Sequence, residues 1–119
     1  MTSETEIFKW LDSSEIVSSY EVLEFQEDSE GYLLKFKIQF KDKSELFTRE
    51  STKRNLRKYS FHWRSENGSL IIRWDNAKHH NELSTFPHHR HEDSEHNVIE
   101  NSEVGLIDIL KFIQNQLRK

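Results

Sequence analysis

Tyr59-Ser60-Phe61-His62-Trp63-Arg64-Ser65-Glu66-Asn67-Gly68-Ser69-Leu70-Ile71-Ile72-Arg73-Trp74-Asp75 reads as a β-hairpin whose register can be taken from residue types alone. Asn-Gly is the favoured dipeptide of a two-residue type I′ turn, because both turn positions need positive φ. With Asn67 and Gly68 as that turn, Ser65 faces Leu70, Trp63 faces Ile72 and Phe61 faces Trp74. The large apolar residues then pair on one side, which is what pins a register. The other side follows by alternation: Arg64 opposite Ile71, His62 opposite Arg73, Ser60 opposite Asp75, and Lys58 at the rim. A histidine directly across from an arginine disfavours stability, since like charges face each other. It suits the handling of an anion. The bland alternative is a neutral His62 hydrogen-bonded on a wet sheet.

Working outward, Leu34, Phe36, Ile38 and Phe40 alternate with Lys35, Lys37, Gln39 and Lys41. This is the period-2 pattern of a strand with one buried and one wet face, and the wet face is basic. Strands are expected over about 17–27, 32–41, 45–51, 57–65 and 69–75. The first of these alternates imperfectly. Ser3 and Glu6 have capping-box spacing ahead of Ile7, Trp10 and Leu11, predicting a helix over 3–11. Leu106, Leu110, Ile113 and Leu117 recur at helical spacing and predict a helix over 102–117, with Glu103 at its positive end and Arg118 at its negative end. Between hairpin and helix, residues 76–101 show no periodicity and hold six of the seven histidines. A loop of that length in a compact domain is functional or disordered, and Phe86 and Pro87 favour an anchored, functional one.

The chain has 119 residues, 34% hydrophobic and 32% charged, which suffices for one domain with a modest core. It has no cysteine, excluding disulfides and thiolate chemistry. No apolar run approaches the roughly 18 to 20 residues of a membrane span, and the acidic start does not read as a secretion signal. A soluble cytoplasmic protein that does not engage a membrane is expected. The net charge of −4 hides an asymmetry: residues 1–34 carry nine acids and one base, whereas residues 35–73 carry eleven bases and four acids. A basic centre on an acidic body fits a polyanionic partner; a solvated lysine-rich sheet face is the plainer reading of the same composition.

Three chemistries fit the histidines. Cleavage of RNA by its own 2′-hydroxyl needs a base, an acid and a cation for the developing charge, and needs no metal. His62 with one of His88, His89 or His91 would form the acid/base pair. Arg64 and Arg73 would hold phosphate in bidentate fashion, and Asp75 would orient an arginine or a histidine. Lys35, Lys37, Lys58, His79, His80 and Arg90 would extend the contact to RNA. Alternatively, His79-His80 and His88-His89-Arg90-His91 with Asp75 or Glu92 could ligate zinc or nickel, although adjacent histidines rarely both bind one ion and no fixed-spacing motif is present. The expectation is no metal and no cofactor. The third reading is a non-catalytic module that binds nucleic acid or protein, with or without such a metal.

Three ordered motifs resemble the TumE family of toxins of type II toxin–antitoxin systems. They are Tyr59-Ser60-Phe61-His62-Trp63, then Ile72-Arg73-Trp74-Asp75-Asn76-Ala77 with His79-His80, then Thr85-Phe86-Pro87-His88-His89-Arg90-His91. The family pattern has proline on either side of the first His-His pair, where this chain has Lys78 and Asn81; residues 1–50 add nothing to the likeness. The resemblance implies a small cytoplasmic ribonuclease toxin, neutralised by a cognate helix-turn-helix-type antitoxin.

The expected protein is therefore an α+β single domain. It has one antiparallel meander of about five strands, a short N-terminal helix, and a C-terminal helix on the face bearing Phe61, Trp63 and Trp74. The expected function is metal-independent endoribonucleolytic cleavage of single-stranded RNA; a homodimer is compatible with the sequence.

Overall fold

The structure is a computed structural model and describes residues 4–118. Seven strands form one antiparallel sheet in chain order: β1 (Val17–Asp28), β2 (Gly31–Phe40), β3 (Glu45–Lys53), β4 (Leu56–Arg64), β5 (Leu70–Asp75), β6 (His89–Glu92) and β7 (Val98–Glu100). Two helices flank them, α1 (Glu4–Ser13) and α2 (Leu106–Leu117).

The expected five strands are therefore corrected to seven, and the expected loop over 76–101 contains β6 and β7. The first of these escapes the sequence pattern for a physical reason. The inward residues of β6 are His89 and His91, buried as deeply as core side chains, and histidine does not announce burial as Ile or Phe does. The C-terminal helix starts four residues later than expected, at Leu106 after Gly105. Ahead of it, the Val104 carbonyl accepts from Arg57 and Glu103 pairs with Arg57, so this segment is tied to β4. The expected capping box at Ser3 lies outside the described residues.

Alternation assigns the two faces. One carries Leu34, Phe36, Ile38, Leu46, Tyr59, Phe61, Trp63, Ile72 and Trp74, all buried together with Ile7 and Leu11 of α1 and Leu106, Ile109, Leu110 and Ile113 of α2. Phe8 meets Phe36 edge-on at 5.7 Å, and Phe112 meets Trp74 edge-on at 5.6 Å, so both helices cover this face. Two bulges in β1 account for its imperfect alternation.

The central hairpin keeps the expected register by a different route. Phe61 pairs Trp74, His62 pairs Arg73 and Trp63 pairs Ile72, but Arg64 pairs Leu70. The turn is a three-residue loop. The Gly68 N–H donates to the Ser65 carbonyl, and of Asn67 and Gly68 only the glycine has positive φ, at 90°. Such a loop shifts the pairing by one residue, and the bulged Ile71 shifts it back. A true type I′ geometry occurs instead between β3 and β4, where Arg54 and Asn55 have φ of 51° and 67°. Among the described residues, no helix is long and apolar enough to cross a membrane.

Candidate functional site

On the face away from the helices, residues line up in rows across the strands. One row runs Lys37, Phe47, His62, Arg73, His91; the next runs Lys35, Arg49, Ser60, Asp75, His89. Both rows follow from pairing alone, because directly opposed residues point to the same side. His89 and His91, two apart on β6, therefore land beside Asp75 and Arg73 of β5.

Asp75 is the centre of this arrangement. Its Oδ1 lies 3.0 Å from His89 Nε2 and accepts from the Ala77 N–H at 3.0 Å. Its Oδ2 accepts from Arg73 Nε at 3.1 Å and lies 3.7 Å from His91 Nε2. The opposite ring nitrogens are committed to backbone carbonyls: His89 Nδ1 to Pro87 and His91 Nδ1 to Glu95, each at 2.9 Å. His80, on the turn after β5, closes the group with its ring 4.8 Å from that of His89 and 5.8 Å from that of His91. His89 is 2% exposed and His91 5%, so these polar groups form a small core of their own. Burial holds His91 below the usual histidine range, the Glu95 carbonyl acting against it and Arg73 with it.

The group opens into a cleft of about 1080 Å³ that wraps round the ends of β4 and β5. Not every expected residue reaches it. Lys35 pairs Glu24 at 3.2 Å, and Lys37 pairs Glu45 at 3.4 Å. Arg64 stacks over Phe47 and approaches Glu45. Arg90 lies one residue out of phase with His89 and His91, on the helix side, where it bonds Glu92 and Asn101. His88 lines the cleft from that same side, its ring stacked on Tyr59 and its Nδ1 2.8 Å from the Tyr59 hydroxyl. Tyr59 is pushed up to about 12, chiefly by burial.

His62 faces Arg73 as its register requires, with Nε2 enclosed and without a hydrogen-bond partner. Burial first, then Arg73, lowers its pKa. Arg73 itself is engaged twice, by Asp75 and by Glu95 at 2.7 Å. Lys58, His79 and His80 do line the cleft, and they are joined there by Arg49 and Lys78. Arg49 and Lys58 are exposed, and no ion pair of theirs is found among the described residues. Sequence reasoning missed Arg49 and Glu95. Arg49 could have been found only by carrying the pairing across β3, since Ser60, its neighbour, sits opposite Asp75.

No curated protein and no solved structure matches the chain. The sequence model of a family described as Toxin TumE matches residues 7–117. That span takes in α1 from Ile7 onward, all seven strands and α2, and with them the motifs that carry Asp75, His80, His89 and His91. The chain belongs to the TumE toxin family, and as such is the toxin of a toxin–antitoxin system with a cognate antitoxin as its partner.

Proposed function

We propose that this toxin acts as an endoribonuclease on single-stranded RNA, bound in the cleft beside Asp75. The observation that carries the reading is the juxtaposition of two exposed cations, without an ion pair among the described residues, with a buried imidazole–carboxylate group. Arg49 lies in the same row as Asp75 and His89, and Lys58 is two residues along β4 from Ser60. Cations left without internal partners are available to phosphates, Arg49 with two parallel donors and Lys58 as a point charge. RNA cleavage further needs groups that take and give protons or polarise the phosphate. His80, partly exposed in the cleft, offers such a group, with His89, His91 and Asp75 behind it.

The geometry speaks less for His62 and Arg73 as the reacting pair. A proton acceptor must reach the proton it removes, and His62 Nε2 is enclosed. Arg73, held by Asp75 and Glu95, serves better as a support for the carboxylate than as the phosphate ligand. In this reading the family's antitoxin, a helix-turn-helix-type protein, neutralises the toxin by covering the cleft.

The test is incubation of the purified chain with end-labelled single-stranded RNA, alone and with ribosomes. Discrete products from the wild type, lost in an Arg49→Ala/Lys58→Ala variant, are expected. Absence of products in both settings, in a preparation that still arrests growth when expressed, would overturn the proposal. Retention of RNA without cleavage would leave a binding module instead.

A further inference from the structure

We infer that His80, His89 and His91, together with Asp75, form a binding site for one divalent zinc-class metal ion. A nitrogen from each of the three rings lies within 4.8 Å of the others. With metal–nitrogen bonds of about 2.0–2.1 Å, tetrahedral ligands stand roughly 3.4 Å apart. His80, which sits on a turn and is the least buried of the three, is the ring with room to move onto the ion.

The tautomers point the same way. His89 and His91 each give the Nδ1 hydrogen to a backbone carbonyl, Pro87 and Glu95 respectively. That is the outer-shell arrangement that orients a metal-binding imidazole and fixes its tautomer. With Nδ1 so used, the neutral ring of each presents a lone pair at Nε2, whereas His80, its Nδ1 3.6 Å from Glu82 and outside hydrogen-bond range, keeps either nitrogen free for an ion. On His89 and His91 this lone pair faces a carboxylate oxygen of Asp75, at 3.0 and 3.7 Å. Acceptor against acceptor, buried, is unfavourable unless a cation or a proton stands between. Asp75 is meanwhile held in place by hydrogen bonds from Arg73 and the Ala77 N–H.

The donor set also answers an objection from spacing, that adjacent histidines do not share an ion. Each adjacent pair contributes one member. His79 is exposed and edge-on to His80, and His88 is stacked on Tyr59. Glu92, on the helix side with Arg90, takes no part. Three imidazoles and one carboxylate in a cysteine-free chain suit a borderline divalent ion such as zinc better than a hard one such as magnesium.

This inference goes beyond the ribonuclease reading and does not depend on it, since the ion is detected without RNA. The experiment is calorimetric titration of zinc chloride into the untagged, chelator-treated full chain, repeated with cobalt to record visible absorption. One ion per chain is expected, with the intense bands of a four-coordinate cobalt site and a higher Tm in the loaded protein. Loss of an outer partner alone weakens such sites roughly 10–100-fold, so His80→Ala, checked for folding by circular dichroism, should weaken binding more than about tenfold. His79→Ala should leave both stoichiometry and affinity intact. Absence of saturable binding by the wild type would overturn the site and assign the place between Asp75 and the histidines to a proton. Equal binding by wild type and His80→Ala would also overturn it, by placing the zinc on other histidines.

Discussion

The two faces of this sheet are built from the same strands by the same alternation, yet they are held by different forces. Under the helices, Phe36, Ile38, Leu46 and Phe61 are entirely enclosed and contribute through apolar burial. On the other side, Lys37 and Phe47 at the β2–β3 end stay half-buried, whereas His89 and His91 at the β5–β6 end are as enclosed as the helix-side residues. There the carbonyls of Pro87 and Glu95 accept the Nδ1 hydrogens of His89 and His91, and Arg73 and the Ala77 N–H donate to Asp75, so that these polar groups keep partners as they are removed from water. The difference teaches that depth and chemistry are separable in this protein. On the helix side a lost side chain leaves a cavity, and on the open side it leaves polar groups without partners.

The sharpest way to break the contrast is to remove volume on the helix side. Phe61→Ala should cost about 3–5 kcal/mol, enough to abolish most of the stability of a small domain, as read by urea denaturation. On the open side, Asp75→Ala should cost less, about 1–3 kcal/mol, because it orphans the Ala77 N–H and the partly exposed Arg73 rather than opening a large cavity. A loss as large as that of Phe61→Ala would show that the polar cluster is a second core in energetic as well as geometric terms. At Arg49 and Lys58 the same face should respond only through ligand binding. Arg49→Ala and Lys58→Ala should each leave the denaturation midpoint within about 0.5 kcal/mol of wild type. Each should lower the slope of log affinity for single-stranded RNA against log salt by about 0.7, as expected for one lost phosphate contact. An unchanged slope would remove that residue from the RNA path.

How far the sequence could be read divides along the same line. The helix face was legible because its pattern is apolar: Trp63 with Ile72 and Phe61 with Trp74 can pair in only one way without exposing an aromatic ring. That constraint outweighed local turn chemistry. Asn67-Gly68 does not form the type I′ turn it suggests, and the bulge at Ile71 restores the pairing that the three-residue loop displaces. Arg54, an unpromising residue for positive φ, adopts it where the pairing of Lys53 with Leu56 demands it. The open face was legible only in its residue types. Asp75, His89 and His91 stood out as chemistry-bearing, but their meeting depends on the pairing of β5 with β6, a strand whose buried side chains are imidazoles and therefore carry no apolar period. Arg90 shows the same limit from the other side. It lies between His89 and His91 in the chain and across the sheet from them in space.

The smallest effect concerns His62, the half-buried open-face residue whose Nε2 is enclosed without a hydrogen-bond partner. Burial and Arg73 lower its pKa below the usual value near 6.5. The folded state therefore binds this proton less readily than the unfolded chain does. As pH falls through the unfolded value, the unfolded chain takes up a proton that the folded one declines, and stability is lost until the folded pKa is passed. The contribution of His62 is thus fully present above the unfolded pKa and declines on acidification. Carboxylates and the remaining histidines titrate over the same range, so the informative quantity is the difference between the stability–pH curves of wild type and His62→Gln, from urea denaturation between pH 5 and 8. Wild type should lose more stability on acidification than the variant, because glutamine keeps a polar amide in place of the ring and has no proton to gain. Parallel curves would show that His62 titrates as it does in an unfolded chain, and that the arginine across the ladder exerts no field on it. The open face would then owe its character to Asp75 and its histidines alone, and the row through His62 would be an ordinary wet row of the sheet.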